Sequence, residues 1–214
     1  HYKLFDSMGE KMAIVVEHDK RKHEILEKSL DVFIEEGYED VTFQKIADRC
    51  GITRTTLYIY FKNKREIFLW SIKQLMAGLQ EELVSITDTD NNSAKPSQTL
   101  YKILMAVMDC CEKNKKLFGV ILDYLLQLKK SGADPAEKVR RRVIHLRHLL
   151  SKVLIRGINC GEFKKINVKE INELFYSIVE SAIFKLAVLN QDSLPETREI
   201  LKLTVDSLVI SEKK

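Results

Sequence analysis

The spacing of hydrophobic residues along this chain is typical of α-helices. From about residue 19 onward, apolar side chains such as Leu26, Leu30 and Phe33 recur every three or four positions. Asp19 can cap the start of this first helix, and Gly37 can end it, because glycine readily adopts the left-handed conformation that follows a helix terminus. Valine-rich alternating runs, which are typical of strands, are absent from the sequence. The pattern therefore predicts an all-α protein.

Two short helices follow the first. Thr42 can cap a helix that runs to about Cys50, where Gly51 closes it. Thr53 can then cap a third helix over residues 54–60. The pattern predicts two short helices joined by a glycine turn.

The rest of the chain reads as longer helices. Asn63, followed by Glu66 three residues later, forms a capping-box pattern for a fourth helix that continues to about Ile86. Residues 87–97 are polar and contain a proline, so we predict a loop there. Further helices are predicted near residues 98–112, 115–130, 135–160, 168–190 and 196–211.

The two short helices meet the requirements of a helix-turn-helix. Ala47 supplies the small residue needed where one helix crosses the other. Four residues later, Gly51 supplies the positive φ angle of the turn at little cost. Apolar residues that can fill the space between the helices fall at the expected positions, namely Ile46, Cys50, Ile52 and Leu57. We therefore predict a DNA-binding helix-turn-helix over residues 42–65.

The charge distribution favours a face that meets phosphates. Six basic side chains and one acid lie between Gln44 and Arg65, whereas seven acids and one base lie between Glu24 and Asp40. The net charge of the 214-residue chain is only +4, which by itself does not establish a nucleic-acid partner. A basic segment beside an acidic one is consistent with a single phosphate-binding face. The alternative is a solvated pattern of surface charges.

Residues 25–70 resemble the DNA-binding domain of the TetR family. The resemblance rests on a set of short motifs: Ile25-Leu26, Phe33, Glu36-Gly37-Tyr38, Val41-Thr42, Ile46-Ala47, Cys50-Gly51-Ile52, Thr56-Leu57-Tyr58-Ile59-Tyr60-Phe61 and Lys64. The run from Thr56 to Lys64 is particularly specific. Beyond residue 70 the resemblance is limited to helix order and to the segment Gly157-Ile158-x-x-Gly161-Glu162-Phe163. The resemblance implies a helix-turn-helix regulator with a larger helical domain.

Side-chain chemistry and the resemblance together predict the DNA contacts. They are Thr42, Gln44, Thr53, Arg54, Thr55, Thr56, Tyr58, Tyr60 and Lys64. Arg54 is the best candidate for reading guanine, and the Gln44 amide can pair with an adenine edge or a phosphate. Tyr58 can reach a phosphate, whereas Tyr60 can equally serve as a core residue. Lys64 resembles the family's phosphate-binding lysine, at a helix start that favours anions.

The last two helices are suited to dimerisation. Their apolar stripes include Ile171, Leu174, Phe175, Ile178, Ala182 and Leu186 on one helix and Ile200, Leu203 and Leu208 on the other. Two such helices from each subunit would form a four-helix interface, as the resemblance also implies. Dimerisation would require a near-palindromic operator. The alternative is that these stripes only close the core of the monomer.

The middle helices are where the resemblance implies a small-molecule effector. Candidate lining residues are Trp70, Tyr101, Met105, Met108, Phe118, Tyr124, His148 and Phe175. Aromatic and methionine side chains dominate this set, which favours an apolar or flat aromatic ligand. Each of these residues can alternatively be part of an ordinary core.

Neither catalysis nor a bound metal is expected. The sequence has no nucleophile-elbow serine, no phosphate-binding glycine loop and no cluster with metal-ligand spacing. The cysteines at positions 50, 110, 111 and 160 show neither paired metal spacing nor a disulfide framework. We therefore expect a protein that is not an enzyme and has no cofactor.

The chain also lacks the features of a membrane or secreted protein. No apolar run approaches the roughly 18 residues that span a bilayer, and no secretion signal is evident at the N-terminus. We therefore expect a cytoplasmic protein without a membrane partner. Three segments are predicted: an N-terminal arm or tag remnant over 1–18, a DNA-binding domain over 19–65, and a ligand-binding and dimerisation domain over 66–214.

Two functional hypotheses follow. The first is a dimeric repressor that a small ligand releases from a palindromic operator. The second is a DNA-binding scaffold that recruits protein partners and uses no inducer. The repressor predicts a closed apolar cavity in the C-terminal region, whereas the scaffold predicts a filled core with an exposed apolar patch.

Overall fold

The computed structural model describes residues 2–90 and 94–210, with side chains described at 16–90, 94–135 and 144–210. Nine helices lie in these ranges: α1 (Tyr2–Glu36), α2 (Phe43–Cys50), α3 (Arg54–Tyr60), α4 (Lys64–Asp90), α5 (Pro96–Lys113), α6 (Lys115–Lys130), α7 (Pro135–Asn159), α8 (Val168–Ala187) and α9 (Pro195–Leu208). The chain divides into two compact units, His1–Met76 and Ala77–Lys214. The predicted all-α fold is confirmed.

The predicted start of the first helix is wrong. Helix α1 begins at Tyr2, so it already includes the segment that was predicted to precede a cap at Asp19. That segment has no hydrophobic periodicity, but it contains Ala, Met, Glu and Lys and no proline, so its helix propensity is high. Residues 2–18 are therefore a helical extension of α1 rather than an unpatterned arm.

The loop after α4 is shorter than predicted. Helix α4 continues to Asp90 instead of ending near Ile86, and α5 begins at Pro96. The Thr87 hydroxyl donates a 2.9 Å hydrogen bond to the Leu83 carbonyl one turn earlier. Threonine side chains often favour turns, but this one is hydrogen-bonded within the helix. The central part of the predicted loop, residues 91–93, lies outside the described residues.

The first unit is built around an aromatic cluster. The ring centroids of Phe33 and Phe68 are 4.8 Å apart, and those of Tyr38 and Phe68 are 5.0 Å apart. The Ser71 hydroxyl donates to the Leu26 carbonyl at 2.9 Å, a buried bond that joins α4 to α1. Helix α1 is thereby joined to α4, and α2 packs against both α1 and α3.

Helix α5 lies at the centre of the second unit. It packs against α7, α8 and α9, while α6 packs against α7 and α8. The buried face of α5 is continuous along its length and includes Leu100, Ile103, Leu104, Val107, Met108 and Cys111. Burial raises the pKa of the Cys111 thiol to about 12, so this cysteine is a neutral core residue.

The segment around Phe163 joins α7 to the end of α9. A side chain on Gly157 would overlap the Phe163 ring, so glycine is required for this ring to lie against α7. Gly161 adopts a φ of +78°, which turns the chain. Phe163 then forms an antiparallel bridge with Val209, in which Ile210 N donates to the Glu162 carbonyl at 2.8 Å. These contacts explain why glycines and a phenylalanine share this short motif.

The described residues contain neither a membrane-spanning helix nor a metal cluster. No helix among them combines the length and apolar character needed to cross a bilayer. Likewise, no group of three or more His, Cys, Asp or Glu side chains is arranged to hold a metal ion in this part of the chain.

Candidate functional site

The turn between α2 and α3 has the predicted geometry. Thr42 Oγ1 accepts a hydrogen bond from Lys45 N at 3.2 Å, and Thr53 Oγ1 accepts one from Thr56 N at 3.0 Å. Gly51 has a φ of 65°, and its N–H donates to the carbonyls at the end of α2. The two threonine caps and the left-handed glycine are therefore confirmed.

Buried apolar side chains hold the two helices together. Ile46, Ala47 and Leu57 are completely buried, and Cys50 is nearly so. Ile52 is half-buried beside them. The predicted packing residues thus lie on the inner side, which leaves the opposite sides of α2 and α3 free for contacts with a ligand.

A second side of α2 forms ion pairs with the end of α1. Lys45 pairs with Glu36 and donates to the Asp40 carbonyl at 3.1 Å. Arg49 forms a two-pronged pair with Glu35. The basic segment is therefore not a single free phosphate-binding face, because two of its bases neutralise the acidic segment upstream.

The pair between Arg49 and Glu35 changes the titration of both groups. The hydrogen bond from Arg49 stabilises the carboxylate and lowers the pKa of Glu35. The same bond raises the pKa of Arg49. Glu35 therefore holds α2 against α1 in its ionised form.

The third side of α2 faces away from the core and carries Gln44 and Asp48. Both side chains are exposed, and Gln44 Nε2 donates a 2.6 Å hydrogen bond to Asp48 Oδ1. This pair lies one helical turn apart, as residues at i and i+4 do. Gln44 is thus exposed at a position where it can contact DNA.

The N-terminal end of α3 is the most accessible part of the motif. Thr53, Arg54 and Thr55 are exposed, whereas Thr56 is half-buried and its hydroxyl lies 2.8 Å from that of Thr53. Arg54 extends from the first turn of the helix, where a recognition helix presents its base-reading side chains.

Two aromatic contacts hold the tyrosines of α3. Tyr58 is 52% exposed and stacks on Phe43 at a centroid distance of 4.5 Å. Tyr60 is half-buried and stacks on His18 of α1 at 4.6 Å. Sequence reasoning identified neither Phe43 nor His18. Phe43 lies next to the Thr42 cap, but His18 falls in the segment that was predicted to lie outside the first helix.

The structure gives Lys64 a different role from the predicted one. Its ammonium donates to three backbone carbonyls, those of Tyr38 at 2.9 Å, Glu39 at 2.8 Å and Val41 at 3.1 Å. An ammonium has three N–H donors, so all of them are used within the protein. Lys64 therefore braces the turn that precedes α2 and is not available for a phosphate.

The predicted dimer stripe divides between core and surface. Phe175, Ala182, Leu186 and Leu208 are buried within the second unit, so they cannot contact a partner, and for these four the prediction is wrong. Ile171 and Ile178 are half-buried. Three residues remain exposed: Leu174, Ile200 and Leu203. The stripe is wider than one contact surface because each helix also packs against other helices of the second unit.

The predicted pocket residues do not line one cavity. Met108, Tyr124 and Phe175 are packed in the core, and Met105 and Phe118 are half-buried around it. Tyr101 and His148 are exposed. Trp70 belongs to the first unit, where the ammonium groups of Lys22 and Lys73 lie over its ring at 4.7 and 4.4 Å. Aromatic and methionine residues occupy cores and pockets alike, so composition did not separate the two.

An open groove of about 580 Å³ lies elsewhere in the second unit. Its lining residues are Thr87, Lys152, Val153, Ile155, Arg156, Asn159 and Cys160. None of these was predicted from the sequence. Most are polar or charged, and therefore gave no hydrophobic signal.

Comparisons with known proteins place the motif in a family. Residues 25–69 match the model of the bacterial regulatory proteins of the tetR family. The fatty acid metabolism regulator protein of Bacillus subtilis (strain 168) is 22% identical over 188 residues, which cover 86% of this chain and 94% of that protein.

Two solved structures have the same fold. A TetR transcription regulator from Haloarcula marismortui superposes with a TM-score of 0.78 at 18% identity, covering 90% of this chain and all of that one. The regulator FadR from Bacillus subtilis, solved with stearoyl-CoA, superposes with a TM-score of 0.67 at 19% identity, covering 87% and 96% of the two chains. The capped helix-turn-helix within residues 25–69 therefore belongs to the tetR family of bacterial regulatory proteins, and the chain as a whole shares the fold of TetR regulators.

Proposed function

We propose that the protein is a homodimeric repressor that binds a near-palindromic operator and is released by a small molecule that carries an apolar chain. The observation that carries the DNA-binding part is the exposed N-terminal end of α3, with Arg54 on its first turn. Guanidinium can bind the O6 and N7 atoms of guanine in a bidentate manner. We assign DNA binding to residues 19–65 and the remaining functions to residues 66–214.

The proposed DNA contacts have separate tasks. Arg54 and Gln44 read base edges, and Thr55 and Thr56 approach closely enough for a methyl contact with thymine. Three further residues contact phosphates: Thr42, Thr53 and Tyr58. Tyr60 contributes mainly through its packing against His18. Lys64 is left out, because its donors are used by backbone carbonyls.

The exposed apolar side chains of α8 and α9 support dimerisation. Leu174 and Ile200 are 44% and 47% exposed, and Phe184 and Leu203 are 52% and 59% exposed. A second copy of the chain would cover these side chains across a two-fold axis. Two recognition helices would then contact half-sites about one helical turn of DNA, or a little more, apart.

The proposed effector is an acyl thioester with an anionic head group. The support is the stearoyl-CoA complex of the Bacillus subtilis structural neighbour. In this chain, the open groove places Val153 and Ile155 beside the exposed Lys152. Arg156 also lines the groove, and its guanidinium donates to Asp90 O and to Thr99 Oγ1. Apolar side chains next to cations suit an acyl chain that ends in a phosphorylated head group. A ligand of this kind would shift the dimer toward spacings that fit the operator poorly.

The second candidate function is a DNA-binding scaffold without an inducer. The observation that favours it is that several predicted pocket residues are packed in the core while α8 and α9 expose apolar side chains. The two candidates make opposite predictions about ligands, because only in the repressor does ligand binding change the affinity for DNA.

Binding-site selection from random DNA, at one stated salt concentration, provides the operator for the test. The selected DNA is then titrated with the protein in the presence of acyl-CoA esters of increasing chain length and of free CoA as a control. The repressor predicts release by long-chain esters and not by free CoA. An operator that stays bound with every ester would favour the scaffold, and the lack of any enriched palindrome would contradict both.

A further inference from the structure

The eight residues of α2 have three different environments. Ile46, Ala47 and Cys50 face the core, whereas Lys45 and Arg49 pair with α1. The remaining face, opposite the core, carries Gln44 and Asp48, and both are exposed. The stacking of Phe43 on Tyr58 places the N-terminal end of this face next to the exposed side of α3. Gln44 and Asp48 therefore lie on a surface that the fold leaves open.

An acid at the position of Asp48 is not explained by helix stability. Asp48 lies in the last turn of α2, where a negative charge is unfavourable because the C-terminal end of a helix is itself partly negative. It is also the single acid between Gln44 and Arg65, so its charge opposes phosphate binding. Both effects would favour a neutral residue at this position, which indicates that Asp48 has another role.

The hydrogen bond to Gln44 supplies such a role. An ionised carboxylate can only accept hydrogen bonds, so the Gln44 amide must turn its nitrogen, and not its oxygen, toward Asp48 at 2.6 Å. The amide is then left with Oε1 and one N–H. One acceptor and one donor match the N6 donor and N7 acceptor of adenine in the major groove. A glutamine free to turn can also offer its NH₂ group to the acceptors of guanine or thymine.

We propose that Asp48 is a positioning residue that makes Gln44 selective for adenine. The inference rests on the proposed DNA-binding function, because it requires Gln44 to face a base. Asp48 acts through Gln44 and does not contact DNA. Its charge lowers the affinity for all DNA sequences, while its hydrogen bond raises the discrimination at one base pair.

The test compares Asp48→Ala with the matched variant Asp48→Asn in full-length protein. Both variants remove the charge, and only the asparagine keeps an oxygen that can accept the Gln44 N–H. Gln44→Ala first identifies the operator position that this residue reads. Binding is then measured for operators that carry each of the four base pairs at that position, and for random DNA.

Asp48→Ala is expected to reduce the preference for adenine at that position by about 5-fold or more, within the range of a lost base contact. Asp48→Asn is expected to retain the preference. Both variants should bind random DNA more tightly than the wild type, and neither should melt at a lower temperature. In the Gln44→Ala background, Asp48→Ala should leave the base preference unchanged.

Two results would overturn the inference while leaving the proposed function intact. One is a wild-type preference retained in Asp48→Ala, and the other is a Gln44→Ala variant that changes no position of the operator. A wild-type protein that selects no operator would instead refute the proposed function itself, and the inference with it.

Discussion

Lys64 illustrates how a cationic side chain in a DNA-binding motif can serve the fold. Its three donors bond to carbonyls of the segment between α1 and α2, and its ammonium also lies 4.8 Å from the centre of the Tyr38 ring. Hydrogen bonds to a charged group contribute more than neutral ones. The side chain therefore fixes the chain direction just before the Thr42 cap.

Replacing this lysine is expected to destabilise the first unit. Lys64→Ala should lower the free energy of unfolding by about 1–3 kcal/mol, because three carbonyls lose their donor. Thermal or urea unfolding measures the loss, and the exposed Lys62→Ala is the control. An unchanged melting temperature combined with weaker DNA binding would restore the phosphate role for Lys64.

At the scale of single residues, contacts between sequence neighbours could be predicted, whereas contacts between residues far apart in the sequence could not. The Thr42 and Thr53 caps and the Gly51 turn involve partners within four residues, so their spacing in the sequence determines them. The partners of Lys64 lie 23–26 residues away, and the stack of His18 on Tyr60 joins residues 42 positions apart. Such contacts depend on how the helices pack, which a local pattern does not contain.

The ion pair between Glu35 of α1 and Arg49 of α2 is expected to make the first unit sensitive to acid. The folded-state pKa of Glu35 is lowered by Arg49, so its stabilising effect is present above the unfolded pKa, near 4.5. The effect is lost as the pH falls through the folded pKa. The wild type should therefore lose stability more steeply below pH 4.5 than Glu35→Gln, as measured by melting temperatures across pH 3–7. Parallel pH profiles would contradict this account of the pair.

The helix bounds of the second unit followed from the hydrophobic pattern to within three residues, since α5 to α9 have strong periodicity and clear breaks. The bridge between Phe163 and Val209 did not, because a single pair of extended residues leaves no periodic signal. The same limit applies to the C-terminal end of α4, because the helix continues to Asp90, beyond its apolar stripe.

The Gly157 contact gives an element-scale prediction. Alanine normally favours a helix over glycine by about 0.5–1 kcal/mol. At Gly157, however, the added methyl group overlaps the buried Phe163 ring, and overpacking of this kind costs about 1–3 kcal/mol. Gly157→Ala should therefore lower the melting temperature, whereas Gly78→Ala, whose new Cβ would meet nothing within 4 Å, should raise it slightly. Equal effects of the two substitutions would show that the ring moves freely.

On the scale of the whole molecule, the proposed dimer would form through the part of the apolar stripe that the monomer leaves uncovered. Leu203 is the most exposed of the predicted interface residues, at 59%. A charge placed there would be buried without a partner in the dimer, which is strongly unfavourable. In light-scattering measurements at one protein concentration, we therefore expect the wild type to be a dimer and Leu203→Glu to be a folded monomer. The neighbouring Lys202→Glu, on a different side of α9, should remain a dimer.

The sequence also could not separate core from interface or pocket in the second unit. Phe175 and Met108 are residue types that often line ligand pockets, but here they are buried in the core. Leu174 and Leu203 belong to the apolar stripes of α8 and α9, but they are exposed. Helical periodicity indicates which positions are apolar and not what covers them. The distinction requires the packing of all the helices of the unit.

The most direct test of the central claim is binding-site selection from random DNA with the wild type and Arg54→Ala in parallel at one salt concentration. The wild type should enrich a two-fold symmetric site with half-sites about one helical turn of DNA, or a little more, apart. Arg54→Ala should lose about 1–3 kcal/mol on that site and little on random DNA. No enriched symmetric site for the wild type, or equal losses on both DNAs for the variant, would contradict the account.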